Sequence, residues 1–356
     1  MKKKTLLLVI VCFLLSNGTV YLLIAMSGIL KDTRNSFLRD FPPHPVLEGD
    51  TLNIRYNSYY IAGGTPHRVY LGNYVSPLHL LEVDLETLDT TKVSLRVAGI
   101  MDQKFWSVRV KVDSPYFFVS DGAVPRIYQG SVDTWRASRF AGDSIHFRAM
   151  APIGWGKFAL KTLDGTPRQN VLATLTSSIP SYRFTDSVLI KQVDGIFCTD
   201  GMLHVDPSSK QLVYVYHYRH DFFVLDTNLV VRLRGQTIDT VGRAKLTVAT
   251  IASTDEYTLS SPPLLVNKRS CVSEQRLFVN SRLLSRNQLR NGFDAGEVMD
   301  VYDLRSGKYQ FSFYIYNFWG SRRMTDVGVY GDRMVVLYGS LLRVFSLRPK
   351  YFPEIG

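Results

Sequence analysis

The chain has 356 residues, 46% of them hydrophobic and 12% aromatic, with 42 lysines and arginines against 31 acidic residues and a formal charge of +11. It is too long for an unsupported small domain and long enough for one repetitive domain or two compact ones. Its three cysteines form no Cys-x-x-Cys or Cys-x-x-Cys-His motif, which argues against dithiol exchange and covalently attached c-type haem.

The chain opens with Lys2, Lys3 and Lys4 before an uncharged run over residues 5–30. A basic flank before such a run predicts a helix entering a membrane with its basic end in the cytoplasm. Ser16-Asn17-Gly18-Thr19 interrupts the run without adding charge. The alternative is a cleaved secretory signal, with Ala25 and Ser27 ahead of a cut at Gly28. The expected organisation is an anchor or uncleaved signal over 1–30, an irregular spacer over 31–48 containing Pro42, Pro43 and Pro45, and a β-domain over 49–356. Inner-membrane, single-pass placement with the C-terminal domain in the periplasm follows, or a secreted periplasmic form if the signal is cut.

From residue 50 onward the segments rich in Val, Ile, Thr, Tyr and Phe lie between Gly, Pro, Asn and Asp clusters, which favours strands. Val108-Arg109-Val110-Lys111-Val112 alternates with period two, burying one face and wetting the other. The one stretch with any helical character, 274–289, reads as a short helix or an elaborated loop, and an insertion is expected around 269–295.

Residues 61–72 line up with 119–130, each ending in Arg, a β-branched residue and Tyr: Arg68-Val69-Tyr70 and Arg126-Ile127-Tyr128. Phe197-Cys198-Thr199-Asp200-Gly201 repeats Phe118-Val119-Ser120-Asp121-Gly122. A second phrase puts Asp84, Asp226 and Asp303 at the ends of apolar strands directly before turns, where carboxylates accept backbone N–H groups. Short units recurring at about 40–50 residues predict an all-β fold, a β-propeller of six blades, or seven if 245–318 holds two. The alternative is a pair of β-sandwiches.

The phrases Val301-Tyr302-Asp303-Leu304-Arg305-Ser306-Gly307 and Val83-Asp84-Leu85-Glu86-Thr87 resemble the strand-turn phrases of bacterial TolB-like, NHL-like and quinoprotein-like propellers. With Tyr116-Phe117-Phe118-Val119-Ser120-Asp121-Gly122, the chain resembles uncharacterised membrane-anchored propeller-like proteins of Bacteroidota. The resemblance implies a scaffold and an envelope setting and carries no catalytic residues. Neither the Gly-His and Trp-Asp pairs of WD40 blades nor the Trp-rich docking signature of quinoprotein alcohol dehydrogenases is present.

His217, His220 and Asp221, with His204 and Asp206 upstream, are the most metal-like cluster. On a strand, positions 217 and 220 would face opposite ways, which argues against a shared ion. Cys198 and Cys271 are the thiols available for one disulfide in an oxidising compartment, or stand as separate buried thiols. No Gly-x-Ser-x-Gly, His-Glu-x-x-His or phosphate loop occurs, and Gly154-Trp155-Gly156-Lys157 reads as a tight turn. No catalytic, cofactor-binding or metal-ligating residue is assigned, and no cofactor.

Setting aside Lys2 to Lys4 leaves 39 basic residues against 31 acidic ones. Arg282, Arg286 and Arg290 recur at four-residue intervals and, with Arg276, form the candidate binding patch. The expected function is a non-catalytic envelope binding or assembly module for a protein, glycan or small or anionic ligand, held at the cytoplasmic membrane, with no nucleic acid partner. The alternative is a periplasmic propeller enzyme, electron-transfer or hydrolytic, with an axial active site.

Overall fold

In the computed structural model the described residues are 3–26, 35–99, 106–142, 145–165, 169–185, 187–251, 256–319 and 322–353. The first element is α1 (Lys3–Met26). Among the described residues no helix is long and apolar enough to cross a membrane. Midway along α1, Asn17 Nδ2 donates to the Phe13 carbonyl at 2.8 Å and Thr19 Oγ1 to that of Leu15 at 2.9 Å, placing polar side chains between two apolar stretches. The flanking stretches, residues 6–15 and 20–26, are each short of the ~20 apolar residues that span ~30 Å of hydrocarbon. The transmembrane helix, the membrane as a partner and the single-pass inner-membrane topology are corrected accordingly. The proposed cut at Gly28 lies outside the described residues.

The rest is mostly strand. β1 (Val46–Asn53) is followed by a first unit of β2 (Tyr59–Gly64), β3 (Arg68–Asn73), β4 (His79–Asp84) and β5 (Thr90–Ser94), then by the short β6 (Arg96–Val97). The second unit is β7 (Val108–Asp113), β8 (Tyr116–Asp121), β9 (Arg126–Ser131) and β10 (Arg136–Arg139). The third is β11 (Ala149–Gly154), β12 (Lys157–Asp164), β13 (Gln169–Thr176) and β14 (Tyr182–Thr185), and the fourth β15 (Gly201–Val205), β16 (Leu212–Tyr216), β17 (Asp221–Leu225) and β18 (Val231–Gln236). A separate hairpin, β19 (Val248–Ile251) and β20 (Glu256–Leu259), precedes the fifth unit, β21 (Asn267–Ser273), β22 (Arg276–Ser281), α2 (Arg290–Asp294), β23 (Gly296–Asp303) and β24 (Tyr309–Tyr316). The sixth is β25 (Asp326–Tyr330), β26 (Arg333–Tyr338) and β27 (Leu341–Leu347), completed by β1, which pairs antiparallel with β27.

The expectation of six or seven separate blades is corrected by this hydrogen bonding. Units one and two form one nine-stranded sheet, joined where Gly63 of β2 meets Val112 of β7 in parallel, and the β19–β20 hairpin stands outside every unit. A Cβ at Gly63 would lie 1.9 Å from the Val112 carbonyl oxygen, so the junction depends on glycine. The repeat of 61–72 with 119–130 is also overturned. Residues 61–72 run from β2 into β3, whereas 119–130 run from β8 into β9, so Arg68 stands on a second strand and Arg126 on a third. The Asp phrases, by contrast, are equivalent: Asp84 and Asp303 each end a third strand and Asp226 directly follows one. Their Oδ1 atoms accept the N–H groups of Glu86 and Thr87, of Asn228 and Val230, and of Arg305 at 2.8–3.0 Å.

Apolar layers lie between successive units. Phe117 and Val110 pack with Tyr60 and Tyr70 between units one and two, and Phe118 meets Phe158 edge to face at 5.4 Å between two and three. Leu172 packs with Tyr214 between three and four, Val215 with Leu277 between four and five, Phe278 with Val336 between five and six, and Leu337 with Leu71 between six and one. Each large side chain fully removed from water there contributes about 1.5–3 kcal/mol. The first strands touch in the cyclic order β2, β7, β11, β15, β21, β25 and back to β2, so one face of each is turned to a shared interior.

Candidate functional site

That interior is a cavity of about 280 Å³, lined by residues of all six first strands. The alternation on β7 shows how charge enters it. Val108, Val110 and Val112 are buried within the sheets, and Arg109 and Lys111 take the opposite face. The face that period-two reasoning assigns to water is, on this strand, the wall of the cavity. Lys111 remains open to solvent there although protein surrounds it.

Asp326 is the organising carboxylate. Its Oδ2 accepts the Ile61 N–H at 2.9 Å and its Oδ1 that of Val327 at 2.9 Å. Burial pushes its pKa up, while these hydrogen bonds and the charges of Arg269 and Lys111 pull it back. Burial pushes the Lys111 ammonium down, with Asp326 opposing. Among the described residues Lys111 Nζ makes no hydrogen bond or ion pair. Arg269 donates from Nε to the Thr325 carbonyl at 2.7 Å, and its buried Nη1 has no hydrogen-bond partner.

His204 Nε2 lies 2.8 Å from Ser270 Oγ. Burial, then the charges of Lys111 and His217, push the imidazole pKa down to about 3, so it is neutral at ordinary pH. Cys271 and Tyr330, also at the cavity, are pushed up by burial and by Asp326 and stay protonated. Two residues before Lys111, the Arg109 guanidinium lies 4.2 Å from the Tyr74 ring centroid and 5.6 Å from that of Tyr60. Lys111 and Arg269 thus act on Asp326 through their charges, while Asp113, the other carboxylate of the cavity lining, lies 3.3 Å from Lys210. Nearby Glu297, engaged by Lys268 at 2.7 Å and by Arg282 at 3.8 Å, also acts on Arg269 through its charge.

Two other cavities adjoin the ring. One of about 770 Å³ between units two and three is lined by Arg109, His146, Arg148 and Thr162 among others. Another, of about 500 Å³, is lined by Lys245, Arg282, Arg290 and Asp294.

The four arginines of the expected patch are divided. Arg276 opens β22 and is buried, with Nη2 donating to the Pro353 carbonyl and Nη1 3.7 Å from Glu274. Arg282 and Arg290 share the 500 Å³ cavity, with Arg290 3.9 Å from Asp294, whereas Arg286 is exposed and its backbone N–H donates to the Phe37 carbonyl at 3.0 Å. Residues 282–289 lie outside any helix and Arg290 only opens α2, so these three arginines do not share a helical face. Cys198 and Cys271 are both free and buried, as separate thiols rather than the alternative disulfide. The histidine cluster is dispersed as well: His217 Nδ1 approaches the Asn267 carbonyl, His220 Nδ1 that of Asp239, and Asp206 caps its own turn through Ser208 and Ser209. Reasoning from sequence missed Lys111, Arg269 and Asp326; the available signal was the charged face of the Val108–Val112 alternation.

No family model matches the chain, and no curated protein matches it. Among solved structures it is similar to a member of the duf4221 family from Bacteroides vulgatus ATCC 8482, with a TM-score of 0.50 and 10% identity over 89% of this chain and 99% of that one. Similarity to a catalytically inactive virginiamycin B lyase from Staphylococcus aureus with quinupristin has a TM-score of 0.47 and 9% identity, covering 84% and 99% of the two chains. For a chain of the mitotic checkpoint complex the values are 0.45 and 9%, covering 87% and 97%. The first likeness is one of fold, shared with a Bacteroides protein, and the other two carry no argument.

Proposed function

We propose that the chain is a non-catalytic binding module whose central cavity takes a small anionic ligand. One observation carries this reading: among the described residues Lys111 stands in the cavity lining with no hydrogen bond or ion pair, and of the two carboxylates there Asp326 is held by backbone N–H groups and Asp113 by Lys210. At an effective dielectric of ~20, a unit charge ~5 Å away contributes about 3 kcal/mol, so the unpaired Lys111 ammonium favours an anion over water. The sheets on all sides position these groups before a ligand arrives, which limits the ordering entropy of binding.

Calorimetric titration with phosphate and with oxalate tests the proposal, using glycerol as an uncharged control. Saturable binding of an anion at one site per chain, weakened by salt and absent for glycerol, is the expected result. Failure of both anions at low salt would overturn it.

The Ser270–His204 contact favours one other reading, a hydrolase with Ser270 as nucleophile. An imidazole held at about 3 is a feeble base near neutral pH, and this weighs against that reading. Ester hydrolysis lost in Ser270→Ala would restore it.

A further inference from the structure

The cavity of about 770 Å³ between units two and three is the larger of the two beside the ring, and its fixed charge has one sign. Arg109 and Arg148 line it with His146, and among the described residues no carboxylate does. Asp121, next to the lining residues Ser120 and Gly122, is buried and otherwise engaged. Its Oδ1 accepts the N–H groups of Ala123 and Val124 at 3.0 and 3.2 Å, and its Oδ2 those of Trp106 and Ser107 at 2.7 and 3.0 Å. Among the described residues neither arginine donates to it.

Both arginines stand on fixed backbone. Arg109 lies on β7, where its guanidinium rests against Tyr74 and Nη1 donates to the Val108 carbonyl at 3.0 Å. Arg148 precedes β11, and its backbone N–H donates to the Lys161 carbonyl at 2.8 Å. Thr162 Oγ1 donates to the His146 carbonyl at 2.5 Å, and the Phe147 N–H to that of Gly122 at 3.2 Å. A Cβ at Gly122 would lie 2.0 Å from the Phe147 carbonyl oxygen, so this approach of unit three to unit two requires glycine. The Arg148 side chain is nevertheless exposed and, among the described residues, makes no hydrogen bond or ion pair.

We infer that this cavity is a second site, separate from the central one, that binds a phosphomonoester of an aromatic molecule, with Arg109 and Arg148 on the phosphate. Two guanidiniums without a carboxylate between them match a charge of about −2, which a phosphomonoester carries near neutral pH. Its three acceptor oxygens also suit the paired N–H donors of a guanidinium fork, whereas a monocarboxylate brings half the charge. The half-buried Phe147 and the buried Met150 give the cavity an apolar side for the organic group, and its volume leaves room for a ring beyond the phosphate.

The test is calorimetric titration of phenyl phosphate into the full chain and into Arg148→Gln and Lys111→Met, with oxalate titrated in parallel. Phenyl phosphate should bind Lys111→Met as tightly as wild type and Arg148→Gln at least about tenfold more weakly, with melting unchanged because the replaced side chain is exposed and unpaired. Oxalate should show the reverse pattern, since Arg148 is not part of the central cavity lining. In Lys111→Met, inorganic phosphate, which lacks the ring, and phenylacetate, which lacks the second charge, should each bind at least about tenfold more weakly than phenyl phosphate. Equal affinity of phenyl phosphate for Arg148→Gln and wild type, or no binding to wild type, would overturn the second site, and the oxalate titration then reports on the central cavity alone. Phenylacetate bound as tightly as phenyl phosphate would overturn the phosphomonoester as its ligand.

Discussion

Asp326 accepts the backbone N–H of Ile61 at 2.9 Å, so the first strand of the sixth unit is hydrogen-bonded to the first strand of the first. The same carboxylate lies within the electrostatic reach of Lys111 and Arg269. One side chain therefore both ties the ends of the ring and balances part of the cavity's charge.

Asp326→Asn separates these two roles. The amide keeps one acceptor but turns a donor toward backbone N–H groups, so stability should fall by about 1–3 kcal/mol in urea unfolding. Removing the negative charge should meanwhile tighten anion binding by roughly three- to tenfold at low salt. Weaker binding in the folded variant would contradict the charge argument.

Arg39 joins the segment before β1 to the fifth unit. Its Nε and Nη2 hold the Asp300 carboxylate at 2.7 and 2.9 Å, and its Nη1 donates to the Leu283 carbonyl at 2.8 Å and to Gln288 at 2.5 Å, with both charged side chains almost wholly buried. Arg39→Met leaves Asp300 with Ser312 and no cation, and should lower stability by about 3–5 kcal/mol in equilibrium denaturation. A change under about 1 kcal/mol would mean that this buried pair is dispensable.

The His204 imidazole is held near 3 in the folded chain and titrates near its ordinary value of 6.5 when unfolded. Between those two pH values the unfolded state binds the extra proton, so stability is fully present above about 6.5 and falls as pH drops toward 3. His204→Gln should remove on the order of 3 kcal/mol of that acid sensitivity while retaining a polar contact for Ser270. Parallel melting curves of wild type and variant across pH 4–8 check this; identical acid slopes would rule out His204 as the source.

Arg286 and Arg290 are exposed, and the Arg290 pair with Asp294 is long. Their joint replacement by Ala should alter stability by no more than about 0.5 kcal/mol and leave oxalate binding in the central cavity unchanged. Loss of oxalate affinity in that variant would move the site to the 500 Å³ cavity beside Lys245.

Much of the strand content was legible because β-branched and aromatic runs alternate with turn residues, and the Asp84, Asp226 and Asp303 turns were legible because their capping is local. The 61–72 and 119–130 match misled because a hairpin between a first and second strand uses the same Gly, Arg and Tyr chemistry as one between a second and third. The pairing of β1 with β27 and the parallel contact of Gly63 with Val112 depend on partners far apart in sequence and leave no local trace. The helix near the N-terminus was legible from its uncharged, largely apolar run. For the site, Arg109 and Lys111 could be read as one face of a strand. That this face looks inward requires the closed contact of all six first strands, which no single strand encodes.

The most direct test is calorimetric titration of oxalate into wild type and Lys111→Met at low ionic strength. Wild type should bind one oxalate per chain, and the variant, with melting behaviour unchanged, should lose at least about tenfold in affinity, equivalent to about 1.4 kcal/mol. Equal affinity in the two proteins, or no binding to wild type, would contradict the assignment of the central cavity as an anion-binding site.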